Sequence, residues 1–185
     1  MYKRARTDQK IARRFNFAGP IDFERHYCIP GFLRSDSLSL NTMLKNIHDG
    51  LYFVLHEQRQ SGKTSFLLEL RDYLNCVNTE YAALYINVEP AQQRWSNVET
   101  GVASILDIIN NQCRLTFNAS FGVKEATKNM DATQKLEEAL TIISQETLKH
   151  GRKFVLLVDE IDSLVGDVLL TVLRYKSLHE VNSYM

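Results

Sequence analysis

A short apolar run at residues 52–55 is followed, after six polar or charged positions, by the tripeptide Gly62-Lys63-Thr64. Apolar residues then recur at helical spacing from Phe66 onward. The segment therefore predicts a strand over residues 52–56, a loop, and a helix that begins near Gly62. In such a unit the first backbone N–H groups and the positive end of the helix dipole point at one place, which favours binding of an anion.

The loop carries most of a phosphate-binding pattern, Gly-x-x-x-x-Gly-Lys-Ser/Thr. Gly62, Lys63 and Thr64 match its end, whereas Glu57 stands where the pattern has its first glycine. In this pattern the lysine reaches the β- and γ-phosphates, and the hydroxyl binds Mg²⁺. The alternative is an ordinary strand-turn-helix connection that happens to contain these residues. The candidate nucleotide-binding residues are Gln58, Arg59, Gln60, Ser61, Gly62, Lys63, Thr64 and Ser65.

A second segment places carboxylates directly after a buried strand. Residues 154–158 form a continuous apolar run of strand length, and Asp159, Glu160 and Asp162 follow. Because open α/β sheets bind ligands at the carboxyl ends of their strands, Asp159 is predicted to hold Mg²⁺ together with Thr64. Glu160 is the predicted catalytic residue, which deprotonates the attacking water. For Asp162 we prefer a cap on the next helix. The alternative for the whole segment is a strand followed by an acidic helix start.

Together the two motifs resemble those of AAA-like P-loop ATPases, in the division with an additional strand and a catalytic glutamate. The resemblance rests on Arg-Gln-Ser-Gly-Lys-Thr at residues 59–64 and on Asp-Glu-Ile-Asp at residues 159–162. The first motif is also similar to that of a group of prokaryotic ATP-binding proteins in which the first position is often not glycine. The resemblance covers residues 15–174 and implies ATP and Mg²⁺ as cofactors.

The resemblance implies an α/β fold, a three-layer P-loop NTPase sheet that is mostly parallel, with strands in the order 5-1-4-3-2. Three strands can be identified, at residues 52–56, 82–88 and 154–158. We therefore expect a chain that lacks the fourth and fifth core strands and is truncated after the second motif, so that hydrolysis is expected only in a complete protein. The first and third strands would face a vacant slot. They would pair directly, take a strand from another molecule or leave the sheet loose.

The predicted helices cover residues 38–48, 93–113 and 132–149, with a loop over 115–131 and one more helix after Asp162. Strands that alternate with helices predict a parallel sheet covered by helices. By the resemblance, a polar residue at the end of the second strand could restrain the catalytic glutamate. Asn87 has this position, and we prefer for it an ordinary hydrogen bond to a loop.

The chain has 22 basic and 22 acidic residues, so its formal net charge is zero. Residues 1–14 nevertheless carry six basic side chains and one acidic side chain. Such a basic tail could contact nucleic acid, an anionic membrane or an acidic partner, but a solvated, disordered tail is the more common case. The organisation predicted from the sequence is this tail, one ATPase-like domain over residues 15–174, and a C-terminal tail at 175–185 outside the resemblance.

The sequence also bears on the compartment. No apolar run approaches the length of a membrane-spanning helix, and no secretory signal follows the basic start. Cys28, Cys76 and Cys113 are widely spaced, which indicates free thiols in a reducing compartment. We therefore expect a cytoplasmic protein without membrane contact.

Three functions are compatible with these patterns. The leading hypothesis is a domain that binds Mg²⁺–ATP in an AAA-like switch or motor. The second is an inactive remnant that serves as an interaction module, and the third is a nucleic-acid-associated ATPase that uses the basic tail. Nucleotide is the expected partner, and self-association through exposed sheet strands remains open.

Overall fold

The computed structural model describes residues 40–55, 62–94 and 97–163. The predicted tails at residues 1–14 and 175–185 lie outside this part of the chain, as does the predicted last helix. The described residues form a mixed structure of helices and strands.

Two parallel strands form the centre of the structure. Strand β1 is Tyr81–Asn87 and strand β2 is Lys153–Asp159, and they pair in register along their full lengths. The strands predicted at residues 82–88 and 154–158 are therefore confirmed to within one residue. Because the pairing is parallel, the carboxyl ends of both strands lie at the same edge of this two-stranded sheet.

Five α-helices accompany the strands in the described residues, together with two short 3₁₀ helices. None of these helices combines the length and the hydrophobicity that crossing a membrane requires. The predicted helices at 38–48 and 132–149 are confirmed where the structure describes them. The α-helices are α1 Leu40–His48, α2 Lys63–Cys76, α3 Val98–Phe117, α4 Val123–Ala126 and α5 Ala132–Lys149.

Helix α3 begins and ends later than the predicted residues 93–113. The preceding segment Glu89–Arg94 is a separate 3₁₀ helix. Asn97 then caps α3, because its side-chain oxygen accepts a hydrogen bond from the Glu99 amide at 2.8 Å. The helix ends at Asn118, whose φ of 51° is left-handed.

The predicted loop over residues 115–131 is wrong in part, because α3 extends into it and α4 occupies Val123–Ala126. The polar composition of the segment favoured the prediction of a loop over this turn of helix. Val123 is buried, and Thr127 is buried too and donates its hydroxyl to the Val123 carbonyl at 2.9 Å. Val123 belongs to the core on the α3 and α5 side of the strands, so α4 packs there as well.

Helices cover both faces of the two strands. Helices α1 and α2 pack on one face, and α3 and α5 pack on the other. This division follows from the strand geometry, because successive side chains of a strand point to opposite faces. The fully buried residues include Phe66, Leu70 and Leu74 of α2, Leu84 and Ile86 of β1, Ile105 and Ile109 of α3, and Ile143 of α5.

The strand predicted over residues 52–56 is not formed in its described part, since residues 51–55 have no place in the sheet. Phe53 and Leu55 pack against the α2 side of the core, while Tyr52 and Val54 are exposed. The side chains thus alternate as in a strand. A strand, however, also requires a neighbour for its backbone groups. Direct pairing across the vacant slot is therefore not found in the described residues.

A side chain occupies the edge of β1 that faces away from β2. Asn75 of α2 donates its Nδ2 to the Ala83 carbonyl at 2.8 Å, and its Oδ1 accepts from the Ala83 amide at 2.9 Å. Arg152 also donates to Asn75 Oδ1, at 3.1 Å. The Asn75 amide therefore satisfies the two backbone groups that a neighbouring strand would otherwise bind.

Candidate functional site

A hydrogen bond joins the two motifs that the sequence analysis identified. Thr64, the second residue of α2, donates its hydroxyl to Oδ2 of Asp159, the last residue of β2, at 2.7 Å. The two residues are 95 positions apart in the chain. The first turn of α2 therefore lies at the carboxyl end of β2, which is where open α/β sheets bind their ligands.

The start of α2 is defined by Gly62, which precedes the helix, and by Phe66, which is buried in its first turn. Gly62 precedes the helix with φ 86° and ψ 26°, a left-handed conformation that favours glycine because a Cβ is strained there. Its carbonyl accepts from the amide of Phe66 at 2.9 Å, and the Phe66 side chain is fully buried. Lys63 opens the helix, and Ser65 is buried in its first turn. The predicted residues Gln58, Arg59, Gln60 and Ser61 lie outside the described residues.

Asp159 is a buried carboxylate with three hydrogen-bond donors. Its Oδ2 accepts from the hydroxyls of Thr64 and Tyr85, at 2.7 and 2.9 Å, and its Oδ1 accepts from the Glu160 amide at 3.0 Å. Only 5% of the residue is exposed. Burial disfavours a charged carboxylate unless donors compensate for the lost water. The three donors supply this compensation, and they fix the orientation of the carboxylate.

Sequence reasoning did not identify Tyr85 as a site residue. Tyrosine is common in strands, and the residue lies within a run of apolar strand residues. In the structure, burial and the hydrogen bond to Asp159 raise the pKa of Tyr85, so the phenol remains protonated and donates. The useful signal is positional, because Tyr85 lies two residues before β1 ends beside the end of β2. This signal can be used only when the register of the two strands is known.

Glu160 lies among several charged groups at the same edge of the sheet. Partial desolvation and the carboxylates of Asp159, Asp162 and Glu89 raise the pKa of Glu160, and the charge of Lys63 lowers it. The positive charge of Lys63 therefore acts on Glu160, the first residue after β2. Because Thr64, the neighbour of Lys63, donates to Asp159, Lys63 and Asp159 lie on the same side of the molecule, as a shared site requires.

The backbone of Glu160 is strained. Its φ of 58° is left-handed, which costs a non-glycine residue roughly 1–2 kcal/mol. Such conformations persist where the surrounding structure imposes them, and they cluster at functional sites. Here the Glu160 amide donates to the Asp159 carboxylate, so the strained residue is bound directly to the buried acid.

Replacing Glu160 with glycine is expected to stabilise the protein. The substitution removes roughly 1–2 kcal/mol of strain, and the more flexible unfolded chain offsets about 0.4–1 kcal/mol of that gain. We therefore expect the free energy of unfolding, measured in denaturant, to rise by about 0.5–1 kcal/mol. A stability equal to or below that of the wild type would contradict the strain.

Asn118, at φ 51°, provides the matched control for this substitution. Asparagine tolerates the left-handed region better than glutamate, so Asn118→Gly is expected to give a smaller gain. The gain from Glu160→Gly is also expected to be larger at neutral than at acidic pH. Because the pKa of Glu160 is raised in the folded state, its ionisation with rising pH destabilises the fold, and glycine removes that loss.

Thr64 and Asp159 provide oxygen donors of the kind that Mg²⁺ prefers. A hydroxyl oxygen and a carboxylate oxygen lie 2.7 Å apart at the helix start. Mg²⁺ is usually held by one or two carboxylates together with phosphate oxygens and water, and rarely by a full set of protein ligands. The donor set therefore fits a magnesium ion that a bound phosphate chain helps to coordinate.

Two further predictions concern neighbouring polar residues. The Oδ1 of Asn87 accepts from the Glu89 amide at 2.8 Å, which agrees with the loop hydrogen bond that we prefer for this residue. Asp162 lies in the 3₁₀ helix Ile161–Ser163. The helix that Asp162 was predicted to cap lies outside the described residues.

The chain was compared with protein families, curated proteins and solved structures. No protein-family model, no curated protein and no solved structure matches the chain.

Proposed function

We propose that this chain binds Mg²⁺–ATP as a P-loop ATPase domain of the AAA-like type. The observation that carries the proposal is the hydrogen bond from the Thr64 hydroxyl to Asp159. In P-loop NTPases the magnesium ion is held by the serine or threonine of the phosphate loop and by an aspartate at the end of a core strand. The two residues predicted for these roles are in contact here, although 95 positions separate them in the chain.

The start of α2 would bind the phosphates. Gly62 leaves room for phosphate to approach the backbone, and the first amides of α2 and the helix dipole favour a negative charge there. Lys63 would bind the β- and γ-phosphates, where its positive charge offsets theirs. Thr64 and Asp159 would hold Mg²⁺, which neutralises charge on the phosphate oxygens when bound.

Glu160 is the residue that we assign to hydrolysis. It directly follows the metal-binding carboxylate and is exposed, so a water molecule can reach it. The pKa of Glu160 is raised and so lies closer to neutral pH than that of an ordinary carboxylate. This suits a group that takes a proton from the attacking water. Attack of that water on the γ-phosphorus releases ADP and inorganic phosphate.

The arrangement of the strands also supports the proposal. In the strand order 5-1-4-3-2 of the family that the motifs resemble, the second and third strands are neighbours. These correspond to β1 and β2, which pair in parallel and carry helices on both faces. In the proposed three-layer sheet, further strands would lie on the other side of β2.

A binding titration with Thr64→Val tests the proposal. Valine keeps the shape of the side chain and removes the hydroxyl. Loss of one interaction with a charged group, of about 1.5–3 kcal/mol, is expected to weaken binding of a fluorescent ATP analogue in Mg²⁺ by at least about tenfold. The difference is expected to shrink in EDTA, since the hydroxyl acts through the metal.

Thr133→Val is the matched control, because Thr133 is exposed on α5. It is expected to bind the analogue as the wild type does. Unlabelled ATP must compete for the same site. Absence of saturable binding by the wild-type chain, or equal binding by Thr64→Val and the wild type in Mg²⁺, would contradict the proposal.

A further inference from the structure

We propose that Tyr85 is a positioning residue for magnesium, whose hydroxyl holds the Asp159 carboxylate in the orientation that binds the ion. The hydroxyl donates to Asp159 Oδ2 at 2.9 Å. This inference rests on the proposed function, because it assigns a role within the same site. It adds a residue from β1 to a site otherwise built from α2 and the end of β2.

The strand register explains how Tyr85 reaches the acid. Tyr85 lies opposite Leu157, two residues before Asp159, and both Tyr85 and Leu157 face α2. Residues two apart on a strand share a face, so Asp159 lies on this face as well. Strand side chains lean along the strand, which allows the long phenol side chain to reach the end of the neighbouring strand.

The two hydroxyl groups that donate to Asp159 Oδ2 come from different structural elements. Thr64 belongs to the first turn of α2, where the phosphates would bind, and it would itself be a ligand of the metal. Tyr85 belongs to the same sheet as Asp159, and the role assigned to it is the hydrogen bond to the carboxylate and not a contact with metal or nucleotide. The tyrosine contact can therefore hold the carboxylate whether or not nucleotide occupies the helix start.

Loss of this contact has a defined consequence. Without the tyrosine hydroxyl, the carboxylate keeps the Thr64 hydroxyl and the Glu160 amide as donors, and its orientation depends on the helix that receives the phosphates. Partners that orient a metal ligand typically change metal affinity by about 10- to 100-fold when they are removed. The effect should appear in the magnesium requirement rather than in the affinity for metal-free nucleotide.

The experiment uses Tyr85→Phe in the full chain. A fluorescent ATP analogue is held at a fixed concentration while Mg²⁺ is titrated, and its affinity is measured separately in EDTA. We expect the half-saturating Mg²⁺ concentration to rise by about tenfold or more, with the EDTA affinity unchanged. Tyr81→Phe is the matched control, since Tyr81 lies on the same strand and the same face, about 13 Å earlier.

A second substitution shows whether Tyr85 acts through Asp159. In an Asp159→Asn background, Tyr85→Phe is expected to change the magnesium requirement much less than in the wild type, because the two residues act on one interaction. Thermal unfolding of each variant gives a check on folding, and the conservative ring of phenylalanine keeps the packing of the strand face.

The possible outcomes are distinct. An unchanged magnesium requirement in Tyr85→Phe, or an equal loss of affinity with and without Mg²⁺, would overturn the positioning role while binding by the wild type still upholds the proposed function. An effect of the same size in Tyr81→Phe would also overturn the role. A wild-type chain that binds no nucleotide would overturn both.

Discussion

Replacing Lys63 with alanine is expected to weaken ATP binding by about 10- to 100-fold, because it removes hydrogen bonds between a cation and the phosphates that are worth roughly 1.5–3 kcal/mol. Lys63 is the first residue of α2, and its charge already acts on the carboxylate of Glu160. Titration of a fluorescent ATP analogue measures the effect. Since the lysine is proposed to contact phosphate directly, the loss is expected both in Mg²⁺ and in EDTA.

The EDTA measurement separates the lysine from the threonine. Lys63→Ala is expected to lose affinity under both conditions, whereas Thr64→Val is expected to lose affinity chiefly in Mg²⁺. Lys128→Ala serves as the control, because Lys128 is exposed in the turn after α4. Binding by Lys63→Ala that equals binding by Lys128→Ala would show that phosphate is not bound at the start of α2.

Replacing Glu160 with glutamine is expected to slow ATP hydrolysis by roughly 10²- to 10⁴-fold, the contribution typical of a general base. The amide is similar in size to the carboxyl group but does not accept a proton from water. Phosphate release at saturating Mg²⁺–ATP measures the rate, and titration of the ATP analogue checks that affinity is retained. Slow hydrolysis with retained binding is the expected combination.

Glu89→Gln is the matched control for this measurement. Glu89 lies just after β1, and its charge acts on Glu160, so its substitution alters the same acidic surroundings without removing the proposed base. Its hydrolysis rate is expected to stay close to that of the wild type. Equal slowing by both substitutions would argue for a general electrostatic effect. A wild-type chain that binds ATP without turnover would leave the proposal of ATP binding intact.

The elements with a strong local pattern were predictable from the sequence. The apolar run at residues 154–158 became β2, and the helical stripe at 132–149 became α5 with the predicted bounds. The run at 52–55 has the inward and outward alternation of a strand but is not part of the two-stranded sheet in the described residues. Pairing depends on what lies beside a segment, and a local pattern does not contain that information.

The site was predictable to a similar extent. Thr64 and Asp159 were named from their motifs, and the structure brings them into contact. Tyr85 was missed because its role depends on the register of two strands that are separated by 65 residues in the chain. The left-handed backbone of Glu160 was missed as well, because no preference of glutamate predicts it.

The amide of Asn75 hinders extension of the sheet beyond β1. A strand that arrives beside β1 must first displace this side chain from both backbone groups of Ala83. In the described residues, β1 is the strand that pairs with β2. A parallel strand that paired with the other edge of β2 would end next to Asp159, so its last side chain would lie at the same end of the sheet as Thr64 and Asp159.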